Sequence, residues 1–287
     1  MINDKLGRSK DAANQPAGDQ SGSEAPRLPA LVLVAEDNQV NQQIARHLLK
    51  SLGYRVDIVA TGREAVAAVT TKEYAAVLMD IQMPEMDGWT ATAEIRGRAD
   101  PTRRIPIIAL TAHELSDERE KYLAAGMDDY LSKPLALRAL DVMLHRWVTG
   151  SARAQPPAAH AAPAAPDALD EAALDHTILT NLRNLEVASG KPILATVTAL
   201  FSRTTPLRLA SLRLAIGASE VKIVNQEAHT LKGSCLNVGA RRMARLCSDL
   251  EAQGQASDLT GAINLLTLIE AEFACVCATL EHEQMRA

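Results

Sequence analysis

The stretch Ala75-Ala-Val-Leu-Met-Asp80 sets the pattern of the first half of the chain, because it is a short apolar run that ends in a carboxylate. Similar runs recur at residues 31–35, 55–59, 105–110 and 129–131. Between the first two of these, Val40, Ile44 and Leu48 repeat at helical spacing. Strands that alternate with helices form parallel sheets, so residues 31–149 are predicted to be an α/β doubly wound domain with a five-stranded parallel sheet.

Polar residues stand where the predicted strands end. The carboxyl ends of parallel strands meet at one edge of the sheet, which is where such folds bind ligands. The residues at that edge are Glu36, Asp37, Asp80, Thr111 and Lys133. Carboxylates that share a crevice repel one another unless a cation neutralises them, and Mg2+ prefers oxygen ligands. The pattern therefore predicts a Mg2+ site that leaves room for phosphoryl oxygens, with Lys133 and Thr111 binding the remaining ones.

Ordered motifs at these strand ends carry a resemblance to a known family. They are Glu36-Asp-Asn38, Met79-Asp-Ile-Gln-Met-Pro-Glu-Met-Asp-Gly88, Leu110-Thr-Ala112 and Asp129-Tyr-Leu-Ser-Lys-Pro134. Residues 31–149 resemble a response-regulator receiver domain, whose fold is flavodoxin-like. The resemblance implies that Asp80 is the phosphoryl acceptor.

The same resemblance implies roles for the neighbours of Asp80. The Mg2+ ligands that it implies are Glu36, Asp37, Asp80 and the backbone carbonyl of Gln82. Lys133 is expected to pair with the phosphoryl group. Thr111 and Tyr130 match the family's switch pair, in which the hydroxyl moves toward the phosphate and the ring changes its packing.

The second half of the chain is helical throughout by its apolar periodicity. The predicted helices are 171–188, 191–215, 219–236, 240–254 and 259–284, and residues 169–287 are expected to form an all-α antiparallel bundle. In the third helix, the buried stripe consists of Val224, Ala228, Leu231 and Cys235. His229 then points about 140° away from Val224, toward a polar face that is expected to be sterically open.

The surroundings of His229 suit a nucleophilic imidazole. Its near-neutral pKa keeps part of the ring unprotonated, Lys232 can neutralise phosphoryl charge, and Gly233 leaves space for a docking partner. The motifs here are Glu227-Ala-His-Thr-Leu-Lys-Gly-Ser234, Asn237-Val-Gly-Ala240 and Leu246-Cys-Ser-Asp-Leu-Glu251. This part of the chain resembles a histidine-containing phosphotransfer (HPt) domain, which implies that His229 is a phosphohistidine.

Composition bounds the remaining possibilities. Residues 1–30 are predicted to be disordered, and the Ala/Pro-rich residues 150–168 to be a linker that leaves the domains mobile. A net charge of -5 and 3% aromatic residues argue against direct nucleic-acid binding. No apolar run reaches the ~18 to 20 residues of a membrane span, so we expect a cytoplasmic protein. The expected buried free thiols are Cys235, Cys247, Cys275 and Cys277.

Two acceptor residues in one chain predict a phosphorelay intermediate. An upstream sensor histidine kinase would phosphorylate Asp80, and the group would pass to His229 and then to a downstream response-regulator receiver. In one alternative, the receiver is a phosphorylation-gated docking module that regulates an independently phosphorylated HPt domain. In another, Asp80 is a phosphatase nucleophile, although such hydrolases have Asp-x-Asp where this chain has Gln82. No ATP-binding kinase motif is visible in the sequence. The two predicted domains fit either a free-standing protein or the tail of a hybrid kinase. The phosphoryl group could pass within one chain or between chains.

Overall fold

The computed structural model describes residues 29–111, 119–148 and 174–285, and its first part is a five-stranded parallel sheet. The strands are β1 Leu31–Ala35, β2 Arg55–Val59, β3 Ala76–Asp80, β4 Ile107–Thr111 and β5 Asp129–Ser132. Their order is β2-β1-β3-β4-β5, with every neighbouring pair parallel. This is the flavodoxin-like order, so the predicted fold is confirmed.

The ends of two strands differ from the prediction. Asp80 and Thr111 are the last residues of β3 and β4, and do not follow these strands. The reason is that the parallel ladder continues through them, since Asp80 pairs with Leu110 and Thr111 with Ser132. Their backbones are thus fixed by the sheet while their side chains reach its carboxyl edge.

Helices cover both faces of the sheet. They are α1 Gln39–Ser51, α2 Gly62–Thr71, α3 Gly88–Arg96, α4 Arg119–Ala124 and α5 Leu137–Val148. Alternate strand residues belong to different apolar clusters: Val32 and Val34 lie on the side of α1 and α5, whereas Leu33 and Ala35 lie on the side of α2 and α3. Because both faces are buried, the strands are continuous apolar runs.

The second part of the chain consists of five helices. They are α6 His176–Ser189, α7 Ile193–Gly217, α8 Val221–Asn237, α9 Arg241–Gln255 and α10 Ala262–Met285. Short connections join consecutive helices, and α7, α8, α9 and α10 contact one another around a common core. These are the features of an antiparallel bundle, as predicted. The stripe predicted on α8 is completely buried, from Val224 to Cys235.

Helix α10 is the one helix in the described ranges that is long and apolar enough to cross a membrane, since an 18-residue window within Ala262–Gln284 has a mean hydropathy of 1.6. In this structure it packs in the bundle, where Leu266, Ile269 and Val276 are buried. Because the length and composition of α10 would also suit a membrane span, the expected absence of such a span stays a prediction. The expectation of four buried thiols is wrong for Cys275, which is exposed, and for Cys277, which is half-buried, because both lie toward the outer side of α10.

The two parts of the chain touch along α1. This helix contacts α6, α7 and α8, and its residues Ile44 and Leu48 belong to the same apolar cluster as the core of the bundle. Residues 1–28 of the predicted disordered segment, the whole linker, residue 149 and residues 169–173 of the predicted bundle lie outside the described residues. The domain limits 31–149 and 169–287 therefore stay predictions.

Candidate functional site

Glu36, Asp37 and Asp80 bring their carboxylates together at the carboxyl edge of the sheet. One oxygen from each lies within 4.8 Å of the other two. Burial, followed by repulsion from Glu36, raises the pKa of Asp80 well above its usual range, and the same causes raise the pKa of Asp37 to about 6. A cluster that resists ionisation in this way is stabilised by a bound cation.

The oxygen atoms of this cluster fit Mg2+. Oδ1 of Asp37 is buried and has no hydrogen-bond partner within the described part of the chain, so a cation would satisfy it. The backbone N–H of Gln82 donates to Asp80 Oδ1 at 3.4 Å, which places residue 82 at the rim of the cluster. The donor set is entirely oxygen, as hard cations require. The Gln82 carbonyl as a further ligand stays a prediction.

Lys133, the residue that follows β5, spans the pocket. Its Nζ lies 2.6 Å from Asp80 Oδ2 and 2.7 Å from Glu36 Oε2. Burial alone would lower the pKa of Lys133, but the charges of Asp80 and Glu36 outweigh burial and raise it. The ammonium group is therefore charged and lies against a carboxylate oxygen of Asp80, the predicted phosphoryl acceptor.

Gly88 explains the turn that follows Asp80. Helix α3 begins at Gly88, and the Asp87 side chain caps it by accepting the Thr90 N–H at 2.7 Å. A Cβ atom at position 88 would collide with the carbonyl oxygen of Asp80. The glycine thus allows the backbone to pass close to the carbonyl of Asp80.

An aromatic cluster adjoins Thr111. The Tyr122 hydroxyl donates to Thr111 Oγ1 at 2.9 Å, and its ring stacks on Trp89 with centroids 5.1 Å apart. The same ring lies 5.8 Å from Tyr130, which is half-buried. Tyr122 therefore links the two residues predicted to be a switch pair. Sequence reasoning missed it, because a single tyrosine in the short helix α4 carries no motif.

His229 shares a carboxylate with Lys232. The imidazole Nδ1 lies 2.7 Å from Glu251 Oε1, and Lys232 Nζ lies 2.8 Å from Glu251 Oε2. Burial would raise the pKa of Glu251, but hydrogen bonds and charge from His229 and Lys232 lower it to about 2. An ionised carboxylate only accepts hydrogen bonds, so Nδ1 of His229 carries the proton and Nε2 keeps its lone pair.

The expectation of a sterically open imidazole is wrong. His229 is 7% exposed, and its burial is the main cause that lowers its pKa below 6.5. The physical reason is that the first domain lies over this face of α8. Asn38 Nδ2 donates to the carbonyl of Thr230 at 2.8 Å and to Ser234 Oγ at 2.6 Å, in the turn of α8 that directly follows His229.

The helical domain also touches the acidic pocket itself. Thr230 Oγ1 donates to Asp37 Oδ2 at 3.2 Å, and Arg208 Nη2 lies 4.0 Å from the same oxygen. Arg208 is held in turn by Glu227, whose Oε2 lies 2.7 Å from Nη1. The residue next to His229 on α8 is thus in contact with a predicted Mg2+ ligand.

Comparisons with known proteins agree with this architecture. Residues 32–145 match the response regulator receiver domain family, and residues 197–283 match the Hpt domain family. The chain therefore contains a response regulator receiver domain followed by an Hpt domain, the two kinds of domain that are expected in a two-component phosphorelay.

Particular relatives extend the match across both domains. The chain is 34% identical over 227 residues to the aerobic respiration control sensor protein ArcB of Escherichia coli K12, which covers 78% of this chain and 28% of ArcB. It is 34% identical over 240 residues to the sensor protein GacS of Pseudomonas syringae pv. syringae, covering 82% of this chain and 25% of GacS. The chain thus spans about a quarter of the length of these two relatives.

A solved structure resembles the first domain. It is the receiver domain of the sensor histidine kinase PA1611 from Pseudomonas aeruginosa PAO1, described with a magnesium ion coordinated in the active site cleft. It is 47% identical, covers 42% of this chain and 98% of the solved chain, and has a TM-score of 0.40.

Proposed function

We propose that this chain receives a phosphoryl group on Asp80 from the phosphohistidine of a sensor kinase and passes it to His229 of the same chain. A downstream response-regulator receiver then takes it from His229. The observation that carries the proposal is the shared surface, since Thr230, next to His229, donates to Asp37 of the acidic pocket at 3.2 Å. Holding donor and acceptor on one surface replaces a bimolecular encounter by a step within one molecule.

In the first transfer, a carboxylate oxygen of Asp80 attacks the phosphorus of the kinase phosphohistidine. A P–O bond forms, the P–N bond breaks, and the electron pair returns to the leaving imidazole. Lys133, 2.6 Å from Asp80 Oδ2, lies where it can bind a phosphoryl oxygen. Mg2+ bound by Glu36, Asp37 and Asp80 would supply further neutralisation of negative charge.

In the second transfer, Nε2 of His229 attacks the phosphorus on Asp80. A P–N bond forms, the P–O bond to Asp80 breaks, and its electron pair returns to the carboxylate. The Nδ1 proton stays on the ring, where Glu251 at 2.7 Å stabilises the positive charge that develops. Lys232 approaches the same carboxylate and adds positive charge beside the incoming phosphoryl group. The lowered pKa of His229 keeps the attacking ring neutral.

A labelling experiment tests in-chain transfer. The full chain is labelled from a phosphorylated kinase or a small phosphodonor, and alkali-stable phosphohistidine is distinguished from phosphoaspartate. We expect label to reach His229 with a first-order rate that does not depend on protein concentration. Asp80→Asn should abolish both the phosphoaspartate and the phosphohistidine, whereas His229→Gln should abolish only the phosphohistidine. His176→Gln, which changes an exposed histidine of α6, is the matched control and should transfer normally.

Mixing separates transfer within a chain from transfer between chains. Asp80-labelled His229→Gln protein is combined with Asp80→Asn protein, which offers only a histidine acceptor. We expect transfer in the mixture to be slower than in the wild-type chain and to rise with concentration. A wild-type chain that never carries phosphohistidine, or that acquires it only as fast as the mixture does, contradicts the proposal.

A second candidate function has one observation in its favour, the burial of His229 beneath the receiver. In this function the receiver is a phosphorylation-gated cover, and His229 draws phosphate from a separate kinase. Phosphorylated Asp80 would then change the rate at which external kinase labels His229, without donating its own group. The labelling experiment distinguishes the two, because only the relay moves label from Asp80 to His229.

The remaining assignments complete the proposal. We infer a receiver at residues 31–149 and an HPt bundle at residues 169–287, joined by the linker 150–168. Packing of α10 in the bundle supports a cytoplasmic location for both domains and no membrane span within them. The acidic net charge of -5 supports protein partners, a kinase and a receiver, over direct contact with nucleic acid.

A further inference from the structure

We propose that Asn38 and Asn41, at the start of α1, are the residues by which the receiver recognises its HPt domain. The inference rests on the proposed exchange between Asp80 and His229, and it assigns the specificity of that exchange to two amide side chains. Neither belongs to the acidic cluster or to the phosphoryl acceptors.

Asn38 is fixed by the helix that it caps. Its side-chain oxygen accepts the Val40 N–H at 2.9 Å, as an N-cap residue does. The nitrogen of the same amide donates to the carbonyl of Thr230 at 2.8 Å and to Ser234 Oγ at 2.6 Å. The cap therefore determines where the amide nitrogen points, so these two hydrogen bonds define one position of α8 relative to α1.

Asn41 joins the acidic pocket to the same helix. Its Nδ2 donates to Glu36 Oε1 at 2.8 Å, and its Oδ1 accepts from Asn237 Nδ2 at 2.5 Å. Asn41 follows Asn38 by three positions, which places both on one face of α1. All three asparagines are buried. Every hydrogen-bonding contact across this part of the interface thus has a defined donor and acceptor.

The facing surface of α8 has a matching repeat. It consists of Thr230, Gly233, Ser234 and Asn237, spaced as residues on one face of a helix. A Cβ atom at Gly233 would lie 3.2 Å from Asn41 Nδ2, so the absence of a side chain brings the two helices close enough for the amide contacts. This surface fits a receiver that presents short amide side chains in the first turn of α1. A downstream receiver that exchanges with His229 is expected to present such groups as well.

Burial makes these contacts selective. The apolar contacts of α1 with the bundle tolerate sliding, whereas a displaced amide leaves a buried donor or acceptor unpaired. The loss of one such partner is expected to weaken docking about tenfold. Because Asn41 and Asn237 pair with each other, removing both should cost little more than removing one.

A double-mutant cycle tests this coupling in the full chain. The variants are Asn41→Ala, Asn237→Ala and the double substitution, with Asn264→Ala on the exposed side of α10 as the matched control. Docking is measured by the rate at which diethyl pyrocarbonate modifies His229, which undocking exposes. The exposed His176 and His282 serve as internal references in the same peptide digest.

We expect each single substitution to raise the modification rate of His229 about tenfold, the double substitution to match the singles, and the control to match wild type. Asp80 labelling by a small phosphodonor should stay within about twofold in Asn237→Ala and Asn264→Ala, since neither side chain contacts the acidic pocket. The inference would be overturned if the single variants modified His229 at a rate within twofold of wild type. It would also be overturned if the double variant showed the product of the two single effects. A wild-type chain that docks as expected but never moves label to His229 would instead contradict the proposed function.

Discussion

At the scale of single residues, the carboxylate of Glu251 determines which nitrogen of the neutral His229 ring carries the proton. It holds Nδ1 of the ring at 2.7 Å and Lys232 Nζ at 2.8 Å. The sequence placed Glu251 inside a motif but gave it no role, because the contact joins α8 to α9 across residues 22 apart. The place of Asp80 in the acidic pocket, by contrast, could be predicted from the sequence, since parallel strands bring their carboxyl ends together in any such sheet.

The variant Glu251→Gln tests the electrostatic part of this arrangement. Burial lowers the pKa of His229 from its usual 6.5, Glu251 raises it, and the positive charges of Lys133 and Lys232 lower it. Replacing the carboxylate by an amide removes the raising contribution, so the pKa of His229 should fall further and the ring should stay neutral to lower pH. NMR titration of the His229 ring resonances measures this shift directly.

A matched control distinguishes charge from a general effect of the substitution. Glu270→Gln removes a carboxylate from the ion pair between α10 and Arg213, away from His229. It should leave the titration of His229 unchanged. A rise in the pKa of His229 in Glu251→Gln would contradict the electrostatic assignment. We also expect Glu251→Gln to slow labelling of His229 about tenfold, because the charge that develops on the ring loses its partner.

At the scale of helices and strands, periodicity was a sufficient guide wherever one face of an element is buried. The runs at 31–35 and 55–59 are strands with the predicted limits, and the apolar repeat of α10 faces the core through Leu266 and Ile269. The helix predicted from residue 171 begins at His176 in the structure. The reason is that the Asp175 side chain caps α6 by accepting the Thr177 N–H at 2.8 Å.

Two leucines of α10 test whether this helix belongs to a soluble bundle. Leu266 is fully buried and Leu268 is 53% exposed, although they are two positions apart. In aqueous buffer without detergent, we expect Leu266→Ala to lower the free energy of unfolding by about 2–5 kcal/mol. Leu268→Ala should change it by less than about 1 kcal/mol. Urea denaturation followed by circular dichroism measures both. Equal effects, or a chain that requires detergent, would point to a membrane-spanning role instead.

At the scale of the whole molecule, the contact between the two domains is the feature that the sequence could not predict. Asn38 and Ser234 are separated by 196 positions, and their hydrogen bond follows from neither periodicity nor a motif. Polar interfaces leave little trace in a sequence, because each of their residues is also compatible with solvent. The linker composition suggested mobile domains, and His229 was expected to be open because it lies on a polar face of its helix one turn before Gly233. Docking changes the environment of His229, while Asp80 and His229 stay the predicted acceptors.

A substitution at Gly233 tests whether the contact between the domains is needed for the proposed transfer. It is expected to slow transfer without lowering the melting temperature. In Gly233→Gln, the new side chain meets Asn41, since even a Cβ atom would lie 3.2 Å from its Nδ2. Glutamine favours a helix over glycine by up to about 1 kcal/mol, so the melting temperature should be unchanged or higher. Separation of the domains should nevertheless slow transfer from Asp80 to His229 at least tenfold.

The matched control is Gly217→Gln at the end of α7, where an added Cβ atom meets nothing within 4 Å. It should leave both the melting temperature and the transfer rate close to wild type. Scanning calorimetry and single-turnover labelling of the full chain supply the two measurements. If Gly233→Gln transfers as fast as wild type, His229 does not receive its phosphoryl group through this docked arrangement. If it instead unfolds at a lower temperature, the glycine is required for the bundle itself, and the contact with Asn41 is not the reason for its presence.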